Sequence, residues 1–224
     1  MEPRQPPPDC DLCPRLGAFR DRHRAAEPGW HNAPVPSFGP VDARLLVVGL
    51  APGLRGANRT GRPFTGDYAG DLLYATLLDF GFATGSYDRR IDDGLALVDC
   101  RVTNAVRCVP PENRPLGGEA TACRRFLAGE IEAMPRLAVI LALGTVAHAS
   151  VVRAVGRRIA DFKFAHGAMH ALDGGTVLAD SYHCSRYNLN TGRLTEAMFH
   201  AVIAIVRETL DRGSPASARM RATP

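Results

Sequence analysis

Arg44–Leu45–Leu46–Val47–Val48–Gly49–Leu50, closed by Ala51–Pro52–Gly53, decides the fold. An apolar run without alternation, bounded by Pro and Gly, reads as a strand buried on both faces, which a parallel sheet with helices on either side provides. Downstream, 54–67 is a Gly-, Arg- and Thr-rich loop, and 69–80 is a helix burying Leu72, Leu73, Ala75, Thr76, Leu77 and Phe80. The pattern then recurs. Residues 102–106 read as a second strand, 117–133 as a helix, and 138–143 as a third strand, stopped by Gly144 and followed at once by a helix to Val155. Residues 169–172 and 176–179 flank Asp173–Gly174–Gly175 as a hairpin-like return, and a final helix covers 194–210. Upstream, 12–24 carries a short helical pattern and 28–40 reads as a loop. Alternating strands and helices give an α/β fold, a three-layer α/β/α sandwich with a small, mostly parallel central sheet. Ligands of such sheets bind beyond the carboxyl ends of the strands. The loops after Leu50, after Val106 and after Ala179 should therefore share one rim.

The 224 residues suit one large domain, placed over 10–212, with a flexible proline-rich lead-in at 1–9 and a disordered tail at 213–224. Hydrophobic residues make up 46% and charged residues 22%, which excludes a wholly disordered chain. The longest uncharged apolar stretch, Leu137 to Val152, has 16 residues, short of the roughly 18–20 needed to span a bilayer. The first residues lack the apolar core of a secretion signal. A soluble, cytoplasmic protein without membrane contact is expected. The net charge of +4 and pI near 8.9 are compatible with a polyanionic partner. Lys163 is the single lysine among 27 cations. Arginine suits phosphate and base recognition, although a GC-rich genome gives the same bias.

Six cysteines occur: Cys10, Cys13, Cys100, Cys108, Cys123 and Cys184. In a cytosolic chain close spacing points to metal or redox work rather than a disulfide framework. Cys10 and Cys13 form a C-x2-C pair, too early in the chain for a thioredoxin-type site. With Cys108 and Cys123 they can supply four thiolates, enough for a [4Fe–4S] cluster or a structural zinc. The missing second C-x2-C of a zinc ribbon favours iron–sulfur. Cys100 and Cys184 fit ordinary buried cysteines better.

Three segments bring unusual chemistry to the rim. The first is Gly49–Leu50–Ala51–Pro52–Gly53, continuing through Gly56 to Arg62–Pro63–Phe64–Thr65–Gly66–Asp67. The second is Thr103–Asn104–Ala105–Val106–Arg107–Cys108, with Pro110–Pro111–Glu112–Asn113–Arg114 behind it. The third runs His183–Cys184–Ser185–Arg186–Tyr187–Asn188–Leu189–Asn190–Thr191–Gly192–Arg193–Leu194. In this order, and with four matching cysteines, they resemble the uracil-DNA glycosylase superfamily, in particular its iron–sulfur type B, or family 5, group. The resemblance spans residues 10–210. The sister family 4 carries a glutamate in a G-E-A-P-G loop, where this chain has Leu50. The type B first motif ends instead in an aspartate, matched by Asp67, and its third motif has the form H-x-S-x-x-N-x-x-T-G-x-L.

The resemblance implies a monofunctional glycosylase that hydrolyses the bond between deoxyribose and uracil flipped out of DNA, with hypoxanthine, xanthine and other deaminated bases as further substrates. A carboxylate is needed to steady the oxocarbenium-like sugar and orient water, and Asp67 is the candidate. A simpler role for Asp67 is capping the helix that follows it. His183 could donate a hydrogen bond to uracil O2, its protonation state being open. Phe64 is the candidate for stacking on the base, against a plain core role, with Gly49, Leu50 and Ala51 as further substrate contacts. Asn104 could read the uracil edge or, by resemblance, help position water. Arg186, Asn190 and Arg193 are candidate DNA contacts on a loop that could act as wedge, or simply lead into a helix. Gly53, Gly56 and Gly66 could admit phosphates or merely make turns. Cys10, Cys13, Cys108 and Cys123 match the cluster ligands, which would pin the N-terminal arm to the loop after the second strand.

Two other classes compete. A non-catalytic iron–sulfur DNA-binding or redox-sensing protein could share the fold, though an intact Asp67, Asn104 and His183 set speaks against it. A zinc-bound nucleotide hydrolase would be colourless. Lys163 lies outside all three segments, which argues against a lyase step. A monomer is expected.

Overall fold

The computed structural model describes residues 3–212. The expected tail over 213–224 lies outside the described residues. In chain order the elements are α1 (Pro14–Ala26), β1 (Leu45–Gly49), α2 (Ala57–Thr60), α3 (Tyr68–Asp79), β2 (Ala83–Thr84), β3 (Ala96–Leu97), β4 (Cys100–Asn104), α4 (Gly117–Ala133), β5 (Val139–Leu143), α5 (Thr145–Ala154), β6 (Met169–Ala171), β7 (Val177–Ser181), α6 (Arg186–Asn190) and α7 (Glu196–Arg212). Five strands form the main sheet in the order β4-β1-β5-β7-β6. All neighbours are parallel except β6, which returns antiparallel to β7. The turn between them is Asp173–Gly175, where Gly174 and Gly175 adopt the positive φ that glycine allows.

The sheet has helices on both faces, which explains the unbroken apolar run of β1. Leu45 and Val47 face a layer containing Leu73 and Leu77 of α3 and Phe199, Ile203 and Val206 of α7. Leu46 and Val48 face Leu127 of α4 and Ala147 and Val151 of α5. The three-layer α/β/α arrangement expected from the sequence is the one present. Among the described residues no helix is long and apolar enough to cross a membrane.

Three details escape periodicity. Strand β4 starts at Cys100 and ends at Asn104, two residues ahead of the expected span at both ends. Its second residue, Arg101, is a buried cation hydrogen-bonded to the Glu130 carboxylate of α4, so a charge occupies a core position. The loop over 54–67 contains the single turn of α2. Between α3 and β4 the chain makes the two-residue pair β2–β3, with an excursion over 85–95 between its strands. Residues 3–9 lie against the body: Gln5 accepts from Arg107 at 3.0 Å and donates to Glu130 at 3.3 Å.

Under β6 and β7 a polar clamp closes the sheet edge. His148 of α5 contacts Asp180 Oδ1 through Nδ1 at 2.8 Å and the Phe162 carbonyl through Nε2 at 2.9 Å, while His170 Nε2 meets Asp180 Oδ2 at 3.0 Å. A carbonyl only accepts, so Nε2 carries a proton, and the Asp180 carboxylate draws a second one onto Nδ1. Burial opposes that charge, but Asp180 outweighs it and holds the His148 pKa above the ordinary value. A raised folded-state pKa stabilises the fold fully below the unfolded value of about 6.5, by about 1.4 kcal/mol for every tenfold gain in proton affinity on folding. This contribution disappears as pH rises through the folded pKa. Melting from pH 5.5 to 8.5 should therefore show the wild type losing stability relative to His148→Gln as pH rises; parallel curves would refute a charged His148.

Candidate active site and cysteine cluster

The carboxyl ends of β1, β4, β5 and β7 open into a cleft of about 520 Å³. Leu50, Ala51, Phe64, Asp67, Asn104 and His183, from all three sequence segments, line it. Register explains the convergence: Gly49 pairs with Asn104, and Leu143 with Ser181, so the strands end level. Gly49 lies directly behind the floor. A Cβ there would come within 2.4 Å of both Asn104 Oδ1 and the Phe64 ring, so only glycine admits the two side chains together.

Asp67 occupies the N-cap position of α3, yet its side chain makes no capping bond. The carboxylate turns the other way, toward the backbone N–H of Ala57, 3.4 Å from Oδ2. It sits on two glycines: a Cβ at Gly53 would fall 2.4 Å from Oδ1 and one at Gly56 2.0 Å from Cγ. Gly53 and Gly56 thus make room for a carboxylate. Burial raises the Asp67 pKa, opposed by the N–H groups of Ala57 and Gly53 and by the charge of Arg59. The carboxyl is thus held in a partly desolvated cleft with two backbone N–H groups and a cation beside it.

His183 lines the same cleft as Asp67. Burial pushes its imidazole down to about 4, so the ring is neutral at pH 7. Its buried Nδ1 has no partner among the described residues. The ring stacks on Phe64 with centroids 6.1 Å apart and planes at 28°. The remaining letters of the third motif place the histidine: Asn188 Nδ2 donates to the His183 carbonyl at 2.8 Å, and Ser185 Oγ accepts from Asn188 N to cap α6. Asn104 is buried, and its amide has no hydrogen bond among the described residues.

The expected DNA-contact loop is in part the helix α6. Arg186 lines the cleft with its guanidinium 4.9 Å above the Tyr68 ring, and Tyr187 beside it is 72% exposed. Asn190 ends α6 outside the cleft lining, and Arg193 lies over Tyr182 at 4.8 Å. Sequence reasoning misses the part of the lining formed by Gly144, Thr145 and Val146 at the start of α5, and also Tyr68, whereas Asn113 of the second rim segment lines the cleft. The carboxyl-end argument applied to the strand ending at Leu143 would have found the first three. Nothing in the sequence marks Tyr68.

Cys10, Cys13, Cys108 and Cys123 meet in a second, small pocket that also includes Leu12, Leu16 and Phe126. Burial, then mutual proximity, pushes the thiol of Cys13 up to about 11 and that of Cys108 up to about 12; burial likewise raises Cys123. Four thiols converging on one small pocket form a donor set suited to a cationic centre. The backbone N–H of Arg107 donates to Cys123 Sγ at 3.3 Å, a contact that favours a thiolate. Cys100 and Cys184 are buried in the hydrophobic layer of α3 and α7. A set of metal-type side chains elsewhere, His148, His170 and Asp180, is the hydrogen-bonded clamp under β6 and β7.

A family model described as the uracil DNA glycosylase superfamily matches residues 36–207. The chain is 46% identical over 200 residues to a type-5 uracil-DNA glycosylase of Thermus thermophilus, covering 87% of this chain and 90% of that one. It is 41% identical over 191 residues to the type-5 uracil-DNA glycosylase of Pyrobaculum aerophilum, with 84% and 83% covered. To the type-4 uracil-DNA glycosylase of the same organism it is 34% identical over 152 residues, with 67% and 63% covered.

Proposed function

The chain belongs to the uracil-DNA glycosylase superfamily, on its type-5 branch, and from that premise we propose that it hydrolyses the N-glycosidic bond of uracil flipped out of DNA, leaving an abasic site for base excision repair. Hypoxanthine, xanthine and other deaminated bases are its further substrates in this reading. The observation that carries it is the meeting of the Asp67 carboxyl, a neutral His183 and an unbonded Asn104 amide in one cleft.

Extrusion of the nucleotide costs a few kcal/mol, least where the pair is already mismatched, as at deaminated bases. Phe64 stacks on the extruded base and Asn104 meets its polar edge or the water. As the glycosidic bond breaks, its electron pair leaves with the base, and a His183 N–H donates to the oxygen where that charge gathers. The Asp67 carboxylate steadies the positive sugar and holds water against the anomeric carbon. The water oxygen bonds to that carbon, and its proton passes through the carboxylate to solvent or the departing base. Lys163 is exposed and absent from the cleft lining, in keeping with a monofunctional enzyme. Arg186, Asn190 and Arg193 hold DNA beside the cleft, with Tyr187 as the wedge.

Cys10, Cys13, Cys108 and Cys123 hold a [4Fe–4S] cluster in this proposal, zinc being the less supported occupant. Its part is structural: it ties the N-terminal arm to the loop four residues beyond Asn104. Residues 10–212 work as one domain, as a cytoplasmic monomer, with 1–9 as lead-in.

Single-turnover release of base from oligonucleotides bearing uracil, hypoxanthine or xanthine tests the proposal. Release of uracil with an abasic product is expected. Preserved DNA binding without release of any base would leave the non-catalytic binder. The pH profile is expected to lack an inflection near 6.5, since His183 is already neutral there, and to fall in acid as Asp67 takes up a proton above the ordinary carboxylate range. A steep loss between pH 7 and 6 would overturn the neutral-histidine role.

A further inference from the structure

Phe64 has φ of +57°, a left-handed conformation that an aromatic residue seldom adopts. That conformation carries the ring onto the Gly49–Asn104 floor and against His183. Two tyrosines hold consecutive carbonyls around it. Tyr74 of α3 donates to the Pro63 carbonyl at 2.5 Å, and Tyr87 donates to the Phe64 carbonyl at 3.0 Å. The Tyr87 hydroxyl also accepts from Gly66 N–H at 3.3 Å, so one oxygen spans both sides of Thr65. Gly70 leaves the space this needs, because a Cβ there would fall 1.8 Å from the Phe64 carbonyl oxygen and 2.6 Å from the Tyr87 hydroxyl.

Tyr87 comes from the excursion between β2 and β3, outside every segment of the three motifs. The excursion is anchored by a buried pair: Arg62 makes two bonds to Asp93, at 2.9 and 2.7 Å, and one to the Arg90 carbonyl at 2.6 Å. Arg62 also bonds Thr65 Oγ1 at 2.6 Å, and its guanidinium lies 5.8 and 5.9 Å from the Tyr74 and Tyr87 ring centres. The excursion therefore grips the second half of the 54–67 loop twice, at Arg62 and, through Tyr87, at Phe64 and Gly66.

We propose that Tyr87 is a positioning residue for base excision: its hydroxyl locks the 64–67 segment in the strained form that turns the Phe64 ring and the Asp67 carboxylate into the cleft together. This rests on the reading of Asp67 and Phe64 above. The charged groups around Asp67 are Arg59 of α2 and Asp71 of α3, the latter bonded to Arg89, with His183 and Asn104 lining the same cleft. None of these replaces the Tyr87 bridge.

Tyr87→Phe keeps the ring against Tyr74, 4.8 Å away, and removes only the oxygen. It should melt like the wild type. Single-turnover excision of uracil is expected to fall about tenfold at saturating enzyme with half-saturation unchanged, because small misplacement of reacting groups costs rate rather than binding. The Gly66 amide should exchange faster, and the acid limb should move about half a pH unit lower as water reaches Asp67. A folded variant with wild-type rate and limb overturns the proposal. So does a slow one whose Gly66 exchange and acid limb stay put, which would make Tyr87 a DNA contact. Asp67→Ala is run beside it. If that variant excises at the wild-type rate, the reading of Asp67 falls and this inference with it; if it is slow while Tyr87→Phe is normal, the inference alone falls.

Discussion

Asp67→Asn is expected to slow uracil release about 10²–10⁴-fold, the range for losing a positioned acid–base group. The substitution is nearly isosteric. An amide oxygen can still accept from Ala57 N–H, and Gly53 and Gly56 still leave it room, so the cleft survives while the charge is lost. Two consequences separate this role from capping. A lost N-cap would cost about 0.5–2 kcal/mol of stability, yet the Asp67 side chain makes no capping bond, so melting should barely move. Removing a carboxylate from a cleft that receives a polyanion should also leave DNA binding equal or tighter, so the loss appears in the chemical step. Gly56→Ala makes the complementary case: it keeps the charge but puts a methyl 2.0 Å from Cγ, displacing the carboxylate, and should be slow as well. Rate and affinity measured together on the same uracil oligonucleotide decide the matter. An Asp67→Asn variant within about threefold of wild type, far below the range for such a group, would remove Asp67 from the chemistry.

The sheet was readable because its strands are buried on both faces, so 45–49 and 139–143 are apolar without interruption. Strand β4 was readable only in part, since Arg101 is neutralised by a partner on α4 that lies 29 residues away. Short elements such as α2 and α6 are invisible to periodicity, being one turn long and fixed by tertiary contacts. The cleft was legible as three loops because strand ends converge by topology, and the fourth wall at Gly144–Val146 follows from the same rule. Tyr87 was not legible. Its contribution is a hydroxyl bridging two backbone groups more than 20 residues away, and no spacing rule encodes that. Nor could sequence decide the state of His183, which depends on how deeply the imidazole is buried.

Loss of one thiolate should produce the largest effect on stability. Helix α1 buries only Leu16 and Arg20, so little apolar packing binds the N-terminal arm. What remains is polar: Arg15 reaches Glu119 at 2.7 Å and the Arg114 carbonyl at 3.1 Å, and Gln5 meets Arg107 and Glu130, whereas Arg20 and Arg24 bond to Cys10, Asp9 and Pro8 within the arm itself. Partly exposed ion pairs of this kind contribute about 0–1 kcal/mol each. A centre bound by Cys10 and Cys13 on one side and Cys108 and Cys123 on the other closes a loop of almost 100 residues, and such closure is worth several kcal/mol. For a domain this size 1 kcal/mol moves the melting point by about 2–4 °C. Cys108→Ala is therefore expected to lose visible absorbance and melt about 10 °C lower, as arm and loop separate. The loop carries no side chain of the chemistry, but it continues from Asn104, so excision should fall less than in Asp67→Asn. Cys184→Ala, outside the set, should stay coloured and show only an ordinary core cavity. Melting, iron content and the visible spectrum of the three proteins settle it. A colourless Cys108→Ala with wild-type melting would mean that the arm is held by its arginines after all, and a colourless wild type containing zinc would replace the cluster with a metal ion.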